Sequence, residues 1–302
     1  FLVLVLCYSK EAIVSEHNKH QTTNLLNTKS IPIIMSSWEI QWHVKKRPKF
    51  NKPILIEGLP GIANVGKIAI DFLAQELKAK PLLSFYSHSF PHTVFINENN
   101  LVEVPKIELW YRKSKDPKKR DILILTGDVQ PIDERSCYSF CDEVIKLAEE
   151  FGVTELITTG GIGLQSLPEK PKVYATANHK DFLKTFQKKA LKVETKIFGV
   201  VGPIIGVSGV LLGSAKRKNI NAAALLAETF AHQMYLGVKG ATEILKVLNK
   251  RYKLGLKLNK MSKEISKLEK EVLVKTKEWL NELTSAQQAG GKGQRSDASY
   301  IG

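Results

Sequence analysis

Residues 53–73 read PILIEGLPGIANVGKIAIDFL. The apolar run Ile54-Leu55-Ile56 leads into a turn holding Gly58, Pro60, Gly61 and Gly66. Ile68, Phe72 and Leu73 then recur at helical spacing. A buried strand, a tight glycine loop and a helix follow from that pattern. In an open α/β sheet, such a loop lies at the carboxyl end of a strand, where ligands usually bind.

Gly61 to Lys67 also spells GIANVGK, which fits G-x-x-x-x-G-K. A phosphate loop needs Ser or Thr next, to hold magnesium. Ile68 stands there and has no ligating atom. Asp128, after the run DILIL, would have to serve as a further metal carboxylate. Two readings stand side by side. In one, loop 58–66 serves a nucleotide- or nucleoside-handling enzyme. In the other, the glycines let the helix start pack close to the sheet and permit positive φ.

With 302 residues, 43% hydrophobic and 25% charged, the chain can bury one large α/β core with appendages. A net charge of +15 favours acidic partners, nucleic acid or anionic membranes, and is also compatible with plain surface charge. KSKDPKKR (113–120) is the one dense basic cluster and lacks aromatic residues for base stacking. It reads as a solvated hairpin tip, which argues against nucleic-acid binding. Cys137 and Cys141 lie four apart on a predicted helix without partners at metal spacing. With Cys7 they read as thiols of a reducing cytosol, so no metal and no cofactor is expected. The predicted location is cytoplasmic.

Residues 1–34 look like a non-native or disordered extension, with a domain start near Met35. FLVLVLC is too short to span a bilayer and lacks the basic flank of a signal peptide. An α/β core is expected over 35–252. Its predicted strands are 38–43, 53–57, 81–90, 106–113, 121–128, 154–163 and 173–177, and a hairpin turns at Asn97–Asn100. Helices are predicted over 64–78, from an Asp133 or Ser136 cap to Phe151, over 180–191 and over 239–252. NINAAALLAET (219–229) reads as the last core strand with Glu228 in a following loop. His88 and His92 flank one turn with no Ser or Cys partner indicated.

The run IFGVVGPIIGVSGVLLGSA (197–215) has no charge, yet five glycines and Pro203 argue against a membrane span. It divides into a strand (197–201), a turn and a helix from Gly206. On that helix Gly206, Gly209 and Gly213 would let the backbone lie on the sheet. GVSGV lacks the closing glycine of a nucleophile elbow. Further on, Leu254, Leu258, Met261, Ile265, Leu268, Val272 and Trp279 alternate at spacings of four and three. This heptad seam makes 253–284 a coiled-coil-like oligomerising helix, with Leu258, Met261, Ile265, Leu268 and Val272 at the interface. The competing reading is an amphipathic helix packed on its own domain. Residues 285–302 read as a flexible tail.

Four segments together resemble the archaeal branch of the proteasome assembly chaperone family: ILIEGLPGIANVGKIAIDFL, LILTGDVQP (123–131), ELITTGGIG (155–163) and VVGPIIGVSGVLLGSAKRKNINAAALLAET (200–229). The resemblance covers about residues 36–250. It implies a three-layer α/β sandwich similar to nucleoside phosphorylases, without known catalysis. It also implies a chaperone that binds proteasome α-subunits or the core particle. Several members end in a hydrophobic residue, Tyr and any residue, a motif that docks between α-subunits. Here Tyr300 is third from the end, followed by Ile301 and Gly302, so the tail is like that motif without matching it. Tyr300, Ile301 and Gly302 are the partner-binding candidates.

Overall fold

A computed structural model describes residues 38–199, 201–232 and 235–258. The strands are β1 (Glu39–Trp42), β2 (Ile54–Gly58), β3 (Lys80–Tyr86), β4 (Phe95–Ile96), β5 (Val102–Glu103), β6 (Ile107–Arg112), β7 (Ile122–Gly127), β8 (Glu155–Leu164), β9 (Val173–Ala177), β10 (Val193–Glu194) and β11 (Asn221–Phe230). The helices are α1 (Val65–Glu76), α2 (Glu134–Glu150), α3 (Lys180–Lys184), α4 (Val207–Arg217) and α5 (Val238–Tyr252).

Nine strands form one sheet in the order β1-β3-β6-β7-β2-β8-β11-β9-β10. Its centre, β7, β2, β8 and β11, is parallel. β6, β3 and β1 extend one edge antiparallel, and β9 returns antiparallel to β11 at the other. Strands covered on both faces read as continuous apolar runs, as ILIEG and ILILTG do. Alternation along β2 sends Leu55 to one face and Ile54 and Ile56 to the other. Leu55 meets Phe140 and Val144 of α2 and Leu211 of α4 in one core. Ile54 and Ile56 meet Ile70 of α1 and Ile244 of α5 in the second. Helices on both faces of the sheet make three layers.

Local chemistry accounts for several boundaries. Asp133 caps α2: its Oδ1 accepts the Ser136 N–H at 2.9 Å, and its Oδ2 the Ser136 hydroxyl at 2.7 Å. Gly152, at φ +70°, ends the same helix. Asn97 closes the β4–β5 hairpin, its Oδ1 accepting the N–H groups of Asn99 and Leu101.

Four expectations are corrected. Residues 197–201 form no strand at the described positions, because Gly199 at φ +77° turns the chain and Phe198 is fully exposed. The glycines of α4 do not lie on the sheet. That face is Val207, Leu211, Ser214 and Ala215, while Gly213 faces open space. A Cβ on Gly209 would stand 2.0 Å from the Ile204 carbonyl oxygen, so its bareness admits the incoming chain instead. The helix expected over 180–191 stops at Lys184, and a separate 3₁₀ turn follows at Lys189–Leu191. Glu228 belongs to β11 itself, accepting the Tyr174 hydroxyl at 3.0 Å and the Lys172 N–H at 2.9 Å. No helix of the described residues is long and apolar enough to cross a membrane.

Residues 1–34, Met35, most of the heptad seam and the tail lie outside the described residues. Leu254 and Leu258 lie inside them, partly buried against the second core of their own chain.

Candidate functional site

The glycine loop sits where β2 ends between β7 and β8. A Cβ on Gly58 would meet the Gly66 carbonyl oxygen and Ile70 Cγ1, each at 2.4 Å. One on Gly66 would meet the Thr159 carbonyl oxygen of β8 at 2.4 Å. The first turn of α1 thus rests directly on two strands. Ala63 and Asn64, at φ 49° and 52°, supply the sharp reversal before it.

Several polar groups in and around the loop are bonded within the chain. The Leu59 N–H donates to Glu57 Oε1 at 3.0 Å. The Pro60 carbonyl accepts from Gln130 Nε2, and the Ala63 carbonyl accepts the Gly237 N–H at 2.7 Å. Lys67 pairs with Asp71 at 2.9 Å, and Asp71 also accepts the Thr126 hydroxyl at 2.5 Å. A phosphate loop aims free amides and its lysine at the anion. Here the Leu59 amide just before the motif faces a carboxylate and the lysine is paired, and the close approaches at Gly58 and Gly66 support the packing reading of those glycines.

Glu57 is fully buried. Besides the Leu59 amide it accepts the Ser208 hydroxyl of α4, at 3.0 Å and 3.2 Å to its two oxygens. Burial pushes its carboxyl up to about 7, against the lowering pull of the bonds from Ser208 and Leu59. Gln130 adds a second clip between the loop and α4, its Oε1 accepting the Val207 N–H at 3.0 Å. Gly206 makes room for that amide: at φ +80°, its Cβ would stand 2.6 Å from Gln130 Oε1. Cys141 lies beside this cluster, its thiol raised by Cys137 and by burial. The cluster joins β2, the loop and α4, and Glu57 and Cys141 present no surface to a substrate.

The other candidate arrangements among the described residues are incomplete. His43 Nε2 lies 2.8 Å from Ser84 Oγ, but Glu108 bonds the serine hydroxyl at 3.2 Å and not the imidazole. A base needs the third group on its own ring to orient it. His88 and His92 are both exposed. Asp128 is half-buried and raised by that burial, and it accepts the Lys106 N–H at 3.3 Å. Among the described residues, no group of three His, Cys, Asp or Glu could hold a metal.

What this edge of the sheet does present is apolar surface. Because β3 runs parallel to β7 through β6, the β4–β5 hairpin rises from the same edge as the glycine loop. Ile96 and Val102 on it are 73% and 70% exposed, and Val94, Phe95, Leu101 and Val104 are exposed beside them. Ile62 after β2, Ile132 after β7, Leu236 after β11 and Ile205 before α4 are exposed too. Isolated exposed apolar side chains are ordinary, but this many on the loops of one edge is the pattern of an interaction surface.

Sequence reasoning missed Glu57, Gln130 and Ser208. A lone glutamate in a strand apolar on both sides, ILIEG, was the available signal for the first. It also missed the rim, whose signal was VFINENNLVEV: apolar residues on both faces of both short strands.

The three layers, a close-packed glycine loop and an apolar edge describe an α/β domain with an exposed apolar rim. The chain belongs to the PAC2 family, whose profile matches residues 55–274. This agrees with the resemblance to archaeal proteasome assembly chaperones seen in the sequence. It is 33% identical to PbaB of Pyrococcus furiosus, described as an archaeal proteasome activator, with a TM-score of 0.73 over 80% of this chain and 100% of that one. PbaA of the same organism, described as an archaeal homolog of proteasome-assembly chaperone, shares the fold at 23% identity and TM-score 0.64, over 84% of this chain and 97% of that one. An uncharacterised protein of Methanocaldococcus jannaschii is 26% identical over 86% of this chain and 96% of its own length.

Proposed function

We propose that this protein is a non-enzymatic, cytoplasmic chaperone or binding protein for proteasome assembly. It contacts proteasome α-subunits or the core particle. The observation that carries the reading is the exposed apolar rim at the carboxyl edge of the sheet. PAC2 membership and the likeness to PbaB support it. The proposal includes kinship of the fold with nucleoside phosphorylases, with the chemistry lost and the sheet edge given over to binding.

The test is to mix the purified protein with separate α-subunits and with assembled core particles and to measure complex formation. Ile96→Asp and Val102→Asp should each weaken capture by tenfold or more, on the order of 1.4 kcal/mol. Both side chains are largely exposed, so folding should be unaffected. Deleting 298–302, or Tyr300→Ala, should also weaken capture of core particles if Tyr300, Ile301 and Gly302 dock as an anchor with a terminal carboxylate. Undiminished capture by the rim variants would sink the rim as the contact.

Self-association belongs to the same proposal. Leu258, Met261, Ile265, Leu268 and Val272 form the seam of a homo-oligomer, and several tails presented together would gain by avidity. The double variant Ile265→Asp, Leu268→Asp should give a smaller particle in light scattering. An unchanged mass would place the seam against its own domain, as Leu254 and Leu258 already lie.

A further inference from the structure

The pole opposite the glycine loop, at the amino ends of β2, β7 and β8, holds a cleft of about 860 Å³. Nine cationic side chains line it against two acidic ones, Asp116 and Glu155. One wall is the β6–β7 connection with Arg112, Lys115, Lys118 and Lys119. The facing wall is Lys188 and the end of α5, with Lys250 and Lys253.

The two acids do not neutralise these walls. Glu155 is consumed by the floor: Arg120 and Arg251 both pair with it, and the Tyr252 hydroxyl donates to it at 2.8 Å. Arg251 is further fixed by its guanidinium lying 4.0 Å over the Phe186 ring. Asp116 holds its own turn, its Oδ1 accepting the Lys118 N–H at 2.9 Å. No ion pair reaches the seven wall cations within the described residues. Like charges facing one another across a cleft repel, and their field is focused by the low-dielectric walls. Lys250 and Lys253 offset the negative end of the α5 dipole. That account does not extend to the four cations of the other wall.

We propose that this cleft binds a small anion carrying several contiguous phosphates, such as an inorganic polyphosphate chain or a multiply phosphorylated ester. Six of the nine cations are lysines, point charges on flexible stems that suit phosphate oxygens. Of the three arginines that could grip a planar carboxylate in bidentate fashion, Arg120 and Arg251 are already engaged by Glu155, which leaves Arg112 as the single guanidinium among the wall lysines. Aromatic platforms for nucleobases are scarce, because Phe182 and Phe186 are buried and the Arg251 guanidinium lies 5.2 Å over the Tyr252 ring. The volume suits a compact ligand.

Calorimetry with inorganic tripolyphosphate tests this on the full chain, with orthophosphate, citrate and a short single-stranded oligonucleotide at matched ionic strength. Tripolyphosphate should bind saturably at one per protomer, at least tenfold tighter than orthophosphate or citrate. A phosphorylated ester such as inositol hexakisphosphate, run beside it, distinguishes the two sources of the same chemistry. The triple variant Lys118→Glu, Lys119→Glu, Lys250→Glu should lose at least tenfold. Lys45→Glu, Lys46→Glu, Lys216→Glu carries the same net charge change on exposed lysines outside the cleft and should stay within twofold. Equal losses in the two triples would reduce the effect to net charge and overturn the site. Tighter binding of the oligonucleotide than of either phosphate probe would overturn it in favour of nucleic acid.

Discussion

Gly66→Ala is expected to destabilise the protein by about 3 kcal/mol, at the upper end of what overpacking a core costs. The new methyl would stand 2.4 Å from the Thr159 carbonyl oxygen and 3.1 Å from its hydroxyl oxygen. Thr159 cannot retreat easily: β8 is bonded to β2 on one side and to β11 on the other. Its hydroxyl also donates to the Glu57 carbonyl at 2.8 Å. Shifting α1 outward instead would open the contact between Gly58 and Ile70 and thin the second core. Alanine's better helix propensity returns at most about 1 kcal/mol. The matched control is Gly213→Ala on α4, where nothing lies within 4 Å of the added Cβ. There the same substitution should stabilise by about 0.5–1 kcal/mol. Urea unfolding of both variants decides. A Gly66→Ala protein as stable as the parent would mean the loop glycines are not there for packing.

The sequence was most legible where one element is covered on both faces or capped by a single side chain. The apolar runs of β2 and β7 and the Asp133 cap of α2 announce themselves, because burial and orphan N–H groups leave few residue types acceptable. It was least legible where an apolar residue is not buried. Phe198 and Ile205 read as strand and helix flank by hydropathy, yet both are exposed. Periodicity reports which residues share a face, not what that face meets. That is why Gly209 and Gly213 were placed on the sheet, when one lies under the backbone of Ile204 and the other under nothing. Glu57 was hidden for the converse reason. Its partners Ser208 and Leu59 are 151 and 2 residues away, so only the closed fold shows that its charge is buried. The basic cleft was half visible: KSKDPKKR stood out as a hairpin tip, but its facing wall comes from Lys188, Lys250 and Lys253, distant in sequence.

Glu57 is expected to contribute a stability that falls as the pH rises through neutrality. Unfolded, its carboxyl ionises near 4.5; folded, burial holds the proton until about 7. Between those values the unfolded chain binds fewer protons than the folded one, so raising the pH favours unfolding. The stabilisation is complete below 4.5, declines from there, and is lost above about 7. The gap amounts to about 3 kcal/mol at about 1.4 kcal/mol per tenfold change. Glu57→Gln mimics the protonated acid at every pH. Its amide oxygen still accepts the Leu59 N–H, and the Ser208 hydroxyl can turn to accept from the amide nitrogen. The variant should therefore match the parent near pH 4.5 and exceed it by about 2–3 kcal/mol at pH 8. Taking the difference between the two proteins cancels the titration of every other carboxylate and histidine. Glu57→Leu separates charge from hydrogen bonding: it removes the ionisation but strands the Leu59 N–H, at about 1–3 kcal/mol. It should lie below Glu57→Gln by a constant amount across the range. Parallel curves for the parent and Glu57→Gln between pH 4.5 and 8 would show that Glu57 titrates like an exposed carboxylate, and that the join between β2, the loop and α4 is looser than its geometry indicates.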